Sequence, residues 1–175
     1  DEIEANRVVT KQYKHIVLFP GGNWKPKIWS IENFNKLIQI LINKYPNLKF
    51  IIVGSFSEKK LYFDDIRKNL PNNIFIDLMG RSLTSTSAYM NKCNLFIGND
   101  SGLMHLSIAS NLKTIALFGP TNDKIYGHYD SNSFIIRTKE TYEEFDKNSI
   151  DPTKSYMSSI EPSEIVDFII KNKLL

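Results

Sequence analysis

The run Gly98-Asn99-Asp100-Ser101-Gly102-Leu103-Met104-His105 joins residue types that bind phosphate to residue types that bind a polyol. An apolar strand, Leu95 to Ile97, leads into it, and a helix-like stretch, LMHLSIAS, leads out. The first backbone N–H groups of such a helix lack intrahelical partners and carry partial positive charge, so an anion fits beyond the strand's carboxyl end. Ser101 is a natural cap, and Gly102 lets a ligand reach the main chain without a side chain in the way. Asp100 would repel a phosphate unless it faces donors such as sugar hydroxyls. Phosphate and polyol together point to a nucleotide-sugar. The same residues also fit a structural account, in which Asp100 and Ser101 cap a buried helix and His105 is a hydrogen-bonded core histidine.

These residues need a scaffold, and the chain alternates strand and helix signals. Apolar runs at His15 to Phe19, Leu48 to Val53, Ile74 to Ile76, Leu95 to Ile97 and Thr114 to Phe118 predict strands. Between them, Phe34, Leu37, Ile38, Leu41, Ile42 and Tyr45 recur at helical spacing, with Ser30 placed to cap. Helices are predicted at about 58–70, near 84–92 and after Gly102. Beyond Thr121 the chain is polar, with one strand expected at Phe134 to Arg137 and a closing helix that begins at Glu161-Pro162. The pattern predicts an α/β fold with a doubly wound, Rossmann-like parallel sheet. Ligands bind such sheets outside the strands' carboxyl ends. The loops there contain neither a GxGxxG fingerprint nor a GxxxxGK[ST] loop, which argues against a nicotinamide or flavin enzyme and against an NTPase.

Composition bounds the rest. The 175 residues are 42% hydrophobic and 23% charged, the profile of one globular domain with a real core. The net charge of +3 is scattered, without basic runs interleaved with aromatics, so no nucleic-acid partner is expected. A lone Cys93 leaves no disulfide framework and no metal-ligand spacing, and it reads as a small buried side chain in a cytoplasmic protein. No stretch approaches the roughly 20 apolar residues that span a bilayer. The chain begins with Asp1 rather than Met, so a piece of a longer protein is expected.

Three segments bear on identity. PGGNWKPKIWSIENFNKLI, DLMGRSLTSTSAYMNKCNLFIGNDSGLMHLSIAS and LKTIALFGPT combine K-x-W after a Gly-rich loop, D-[ST]-G-x-x-H at a strand-to-helix turn, and F-G-P-T at the next strand end. Together they resemble the C-terminal domain of glycosyltransferase family 9, the ADP-heptose:lipopolysaccharide heptosyltransferases. The resemblance covers residues 15–121 closely and the final helix loosely, whereas 122–156 shows no recognisable family pattern.

The resemblance implies one half of a GT-B fold. Residues 1–14 would then be an interdomain linker remnant and 15–175 the nucleotide-sugar-binding domain, closed by 161–175. Carried over by position, Lys27 would contact the diphosphate and donor sugar, and Asp100 the sugar hydroxyls. Ser101, Gly102 and His105 would contact the diphosphate, Glu58 the ribose hydroxyls, and Met79 and Gly80 the adenine. The implied reaction is an inverting transfer with no metal and no cofactor beyond the ADP-sugar donor. The lipopolysaccharide core acceptor and the catalytic base would belong to an N-terminal domain, and the inner membrane surface would be a peripheral partner. A non-catalytic nucleotide-binding module and a GT-B enzyme using a UDP-sugar are the alternatives.

Overall fold

The computed structural model describes residues 1–127 and 130–175. Six strands form one sheet: β1 (Lys14–Phe19), β2 (Leu48–Ile52), β3 (Phe75–Asp77), β4 (Leu95–Asn99), β5 (Thr114–Phe118) and β6 (Ser133–Arg137). Their order is β3-β2-β1-β4-β5-β6, and every neighbouring pair is parallel. The helices are α1 (Glu2–Val8), α2 (Ile31–Lys44), α3 (Phe56–Ile66), α4 (Leu83–Met90), α5 (Gly102–Ala109), α6 (Asp123–Tyr126), α7 (Tyr142–Asp146) and α8 (Pro162–Lys171).

The apolar runs form strands because both faces of the sheet are covered. Successive side chains point to opposite faces. Ile16 and Leu18 of β1 therefore join a core with Phe34, Leu37, Ile38 and Leu41 of α2 and Ile165, Val166 and Ile169 of α8. Val17 and Phe19 join the other, with Ala88 and Tyr89 of α4 and Met104 of α5. The four α2 side chains are fully buried, each stabilising the fold by roughly 1.5–3 kcal/mol. Ser30 caps α2 as the sequence predicts, its hydroxyl accepting from the Asn33 N–H. The result is the predicted doubly wound sheet.

Several elements differ from the sequence reading. The expected linker residues hold α1, which packs on α4 with Ala5 fully buried. Helix α3 starts two residues before Glu58, because Ser55 and Glu58 form a reciprocal capping box, and it ends at Ile66 before Asn69 turns left-handed at φ 61°. The polar segment after Thr121 adds α6 and α7 to the expected strand. Cys93 is partly buried and donates to the Tyr89 carbonyl; burial pushes its thiol pKa up to about 12.

Strand order reverses between β1 and β4, the two middle strands. At such a switch point the loops after adjacent strands run in opposite directions and leave a crevice. Here those loops are 20–27 and 100–102.

Candidate functional site

The loop after β1 is fixed by distant parts of the chain. Asn99, fully buried at the end of β4, accepts from the Trp29 N–H at 3.1 Å and donates to the carbonyls of Gly21 at 2.8 Å and Pro20 at 3.3 Å. The Trp29 indole donates to the Ile160 carbonyl at 3.0 Å, and the Ser155 hydroxyl donates to the Ile28 carbonyl at 2.6 Å. The Tyr156 N–H reaches the Pro26 carbonyl at 3.0 Å. These bonds hold the short 3-10 turn Lys25–Lys27 at the sheet's carboxyl edge. Trp29 of the K-x-W motif is thus a structural anchor, and Lys27 is the member of it that reaches the crevice.

The turn after β4 faces that lysine. Lys27 Nζ lies 3.5 Å from Asp100 Oδ2, with side chains only 13% and 7% exposed. Ser101 caps α5, its hydroxyl accepting from the Met104 N–H at 3.2 Å. A Cβ added to Gly102 would meet nothing within 4 Å, so the main chain here opens onto free space. The His105 ring is exposed one turn further along α5. An ammonium, a helix N-terminus and an exposed imidazole thus share one opening, which suits a polyanion.

Glu58 ties the loop after β1 to the loop after β2. One carboxylate oxygen accepts from the Gly22 N–H at 2.9 Å, and the other from the N–H and hydroxyl of Ser55, each at 2.7 Å. Gly21 permits this approach, since a Cβ there would stand 2.0 Å from the Glu58 carboxylate.

Two depressions meet at this edge. The larger, of about 780 Å³, is lined by Lys27, Glu58, Ser101, Gly102 and His105, with Phe19, Leu83, Leu106, Arg81 and Thr86 among its walls. The smaller, of about 380 Å³, shares Asn23, Lys27, Ser101, Gly102 and His105 with it and adds Trp24, Asp100, Thr121 and Tyr126. Met79 and Gly80 line neither. Met79 is 6% exposed and packs in the core against Gly54, while the Gly80 N–H donates to the Gly54 carbonyl at 2.7 Å with Phe56 over it. The other six predicted residues converge.

Sequence reasoning missed Asn99, whose only local sign is a polar residue closing an apolar strand. It also missed Arg81, which lines the larger cavity and pairs with Glu4 at 3.0 Å. Arg137 is a third omission. It donates to the carbonyls of Gly119 at 3.0 Å and Glu140 at 3.1 Å and pairs with Asp123, fixing the turn after β5. Among the described residues, no group of three or more His, Cys, Asp or Glu side chains is placed to hold a metal ion.

Known proteins resemble this chain in sequence and in fold. The model of glycosyltransferase family 9 (heptosyltransferase) matches residues 2–156: it reaches beyond 15–121 at both ends, takes in the segment after Thr121 that shows no recognisable pattern, and stops before the closing helix. A lipooligosaccharide heptosyltransferase 2 of Haemophilus influenzae is 30% identical over 126 residues, 69% of this chain and 36% of the relative. One from Campylobacter jejuni is 31% identical over 66% of this chain and 37% of the relative. The E. coli ADP-heptose lipopolysaccharide heptosyltransferase II superposes with a TM-score of 0.78 at 20% identity, covering 99% of this chain and 50% of that one. E. coli heptosyltransferase WaaC, solved with ADP, gives a TM-score of 0.76 at 18% identity, covering 93% and 45%. The chain therefore spans about half the length of these solved structures and about a third of these curated relatives. With motifs, fold and crevice in agreement with the family match, this chain belongs to glycosyltransferase family 9, the heptosyltransferase family.

Proposed function

We propose that this chain is the donor-binding half of a heptosyltransferase that moves a sugar from ADP-heptose to the inner core of lipopolysaccharide, with inversion and without a metal. The observation that carries this reading is the meeting of Lys27 and Asp100 beside the N-terminus of α5, at the switch point of the sheet. Cation and helix terminus suit the diphosphate, and the carboxylate suits the hydroxyls of the attached sugar.

In the transfer, an acceptor hydroxyl oxygen bonds to the anomeric carbon as the bond from that carbon to the diphosphate oxygen breaks. The electron pair leaves with the diphosphate. Lys27 and the first amides of α5 are held in place beforehand by Asn99, Trp29 and Ser101, so they meet the developing charge without reorganising. His105 adds a ring donor to the same oxygens. The acceptor proton goes to a base that this reading places in a facing N-terminal domain, outside these residues. Glu58 retains acceptor capacity for ribose hydroxyls beyond its loop contacts, because each carboxylate oxygen accepts more than one hydrogen bond. The reading places the reaction in the cytoplasm, with the lipid acceptor bringing the enzyme to the inner face of the membrane. No helix among the described residues is long and apolar enough to cross it.

Thermal unfolding against a panel of nucleotides and nucleotide-sugars tests the proposal. A ligand at 100 times its dissociation constant stabilises by about 2.7 kcal/mol. ADP-heptose and ADP are expected to raise the midpoint most. A larger shift with UDP-sugars would reassign the donor, and no shift with any nucleotide would overturn the reading.

A further inference from the structure

The turn after β5 carries the F-G-P-T motif, Phe118 to Thr121. Parallel pairing of Asn99 with Leu117 brings this turn alongside Asp100. Thr121 Oγ1 is buried and has no hydrogen-bond partner among the described residues. An unpaired buried hydroxyl is unfavourable in the free protein, and a rotation about its Cα–Cβ bond that turns it into the adjoining depression lets a ligand's donor or acceptor relieve that cost. Thr121 lines the smaller depression together with Asp100, Trp24 and Tyr126.

The two depressions differ in kind. The larger has Phe19, Leu83 and Leu106 in its walls, a lining suited to a nucleoside. To the residues it shares with the larger, the smaller adds two polar side chains, Asp100 and Thr121, and two aromatic ones, Trp24 and Tyr126. A sugar ring has the matching duality of hydroxyls around its edge and apolar C–H faces. Tyr126 is 51% exposed, so a sugar lying against it removes apolar surface from water. Arg137 brackets Thr121, donating to the Gly119 carbonyl on one side of it and pairing with Asp123 on the other. Lys27 and Ser101 stand where the two depressions meet.

We infer that Thr121, with Trp24 and Tyr126, forms the recognition wall for the transferred sugar, so that this face sets which sugar the chain accepts. The inference rests on the donor-binding reading and assigns the order nucleoside, diphosphate, sugar along the joined depressions. Asp100 and Thr121 take the sugar's hydroxyls, and the two rings take its C–H faces.

Calorimetric titration of the wild-type chain, Thr121→Val, Thr121→Ser and Tyr126→Ala with ADP and with ADP-heptose tests it. Thr121→Val is expected to weaken ADP-heptose by about fivefold, the size of one hydrogen bond, while ADP stays within about twofold of wild type. Thr121→Ser is expected to recover the lost affinity, since it keeps the hydroxyl. Tyr126→Ala is expected to show the same selectivity as Thr121→Val. Equal losses for both ligands, or no loss for ADP-heptose, would overturn the inference while leaving the donor-binding reading intact. A wild-type chain that binds neither ligand would overturn that reading, and this inference with it.

Discussion

Lys27 is a charge kept mostly from water beside one carboxylate, and that setting defines its chemistry. Withdrawing an ammonium from solvent costs several kcal/mol, which a single partner at 3.5 Å offsets only in part. On the donor-binding reading, a diphosphate at the α5 N-terminus would complete the compensation. Lys27→Ala is therefore expected to weaken ADP binding by roughly 1.5–3 kcal/mol, about tenfold to a hundredfold, in calorimetric titration. Unchanged affinity in a normally folded variant would show that the ammonium does not touch the diphosphate. Lys27, Asp100 and Ser101 were legible in the sequence because each sits inside a short motif at a strand end. Asn99 was not, although it secures the lysine loop, because its partners Trp29, Gly21 and Pro20 lie 70 to 79 residues away. Met79 and Gly80 mark the opposite limit: the resemblance carries their positions, and the packing that keeps both out of the cavity lining is set by Gly54 and Phe56, which lie 23 to 26 residues away.

At the scale of elements, the strands were legible because burial on both faces forces continuous apolar runs, and α2 because one face alone is buried. The short helices were not, since four or five residues give too little periodicity. Even so, α7 carries a readable signal in Thr141 and Glu144, which form a reciprocal capping box. Strand β1 brings a titrating group into the sheet. His15 is 2% exposed, and burial lowers its pKa below the usual 6.5, aided by Lys49 and opposed by a backbone hydrogen bond at Tyr13. The fold thus favours the neutral ring, whereas the unfolded chain takes up a proton near pH 6.5. Its stabilisation is full above that pH and is lost as pH falls from 6.5 toward the folded value. Urea unfolding is expected to give a lower stability at about pH 5.5 than at about pH 7.5, and His15→Gln is expected to shrink that difference. An undiminished difference in the variant would assign the acid sensitivity to other groups.

The 175 residues form a layer structure with a core on each face of the sheet and a crevice on one edge. Such a unit is expected to fold by itself and to hold the donor. Chemistry asks for more. Proton removal contributes typically about 10²–10⁴ in rate, and positioning the acceptor contributes further. Given ADP-heptose and a truncated lipopolysaccharide acceptor, the 175-residue chain is expected to leave the acceptor unmodified in a mass-spectrometric assay. Robust transfer would place the base within these residues.

A helix terminus and a lysine at this switch point, without a dinucleotide fingerprint, are expected to select a nucleoside diphosphate. Calorimetric titration of the chain with ADP and with NAD under identical conditions tests that selectivity. Clear binding of ADP and much weaker binding of NAD are expected, because Lys27 and α5 complement the free terminal phosphate that ADP has and NAD lacks. NAD binding as tight as ADP, or tighter, would contradict it.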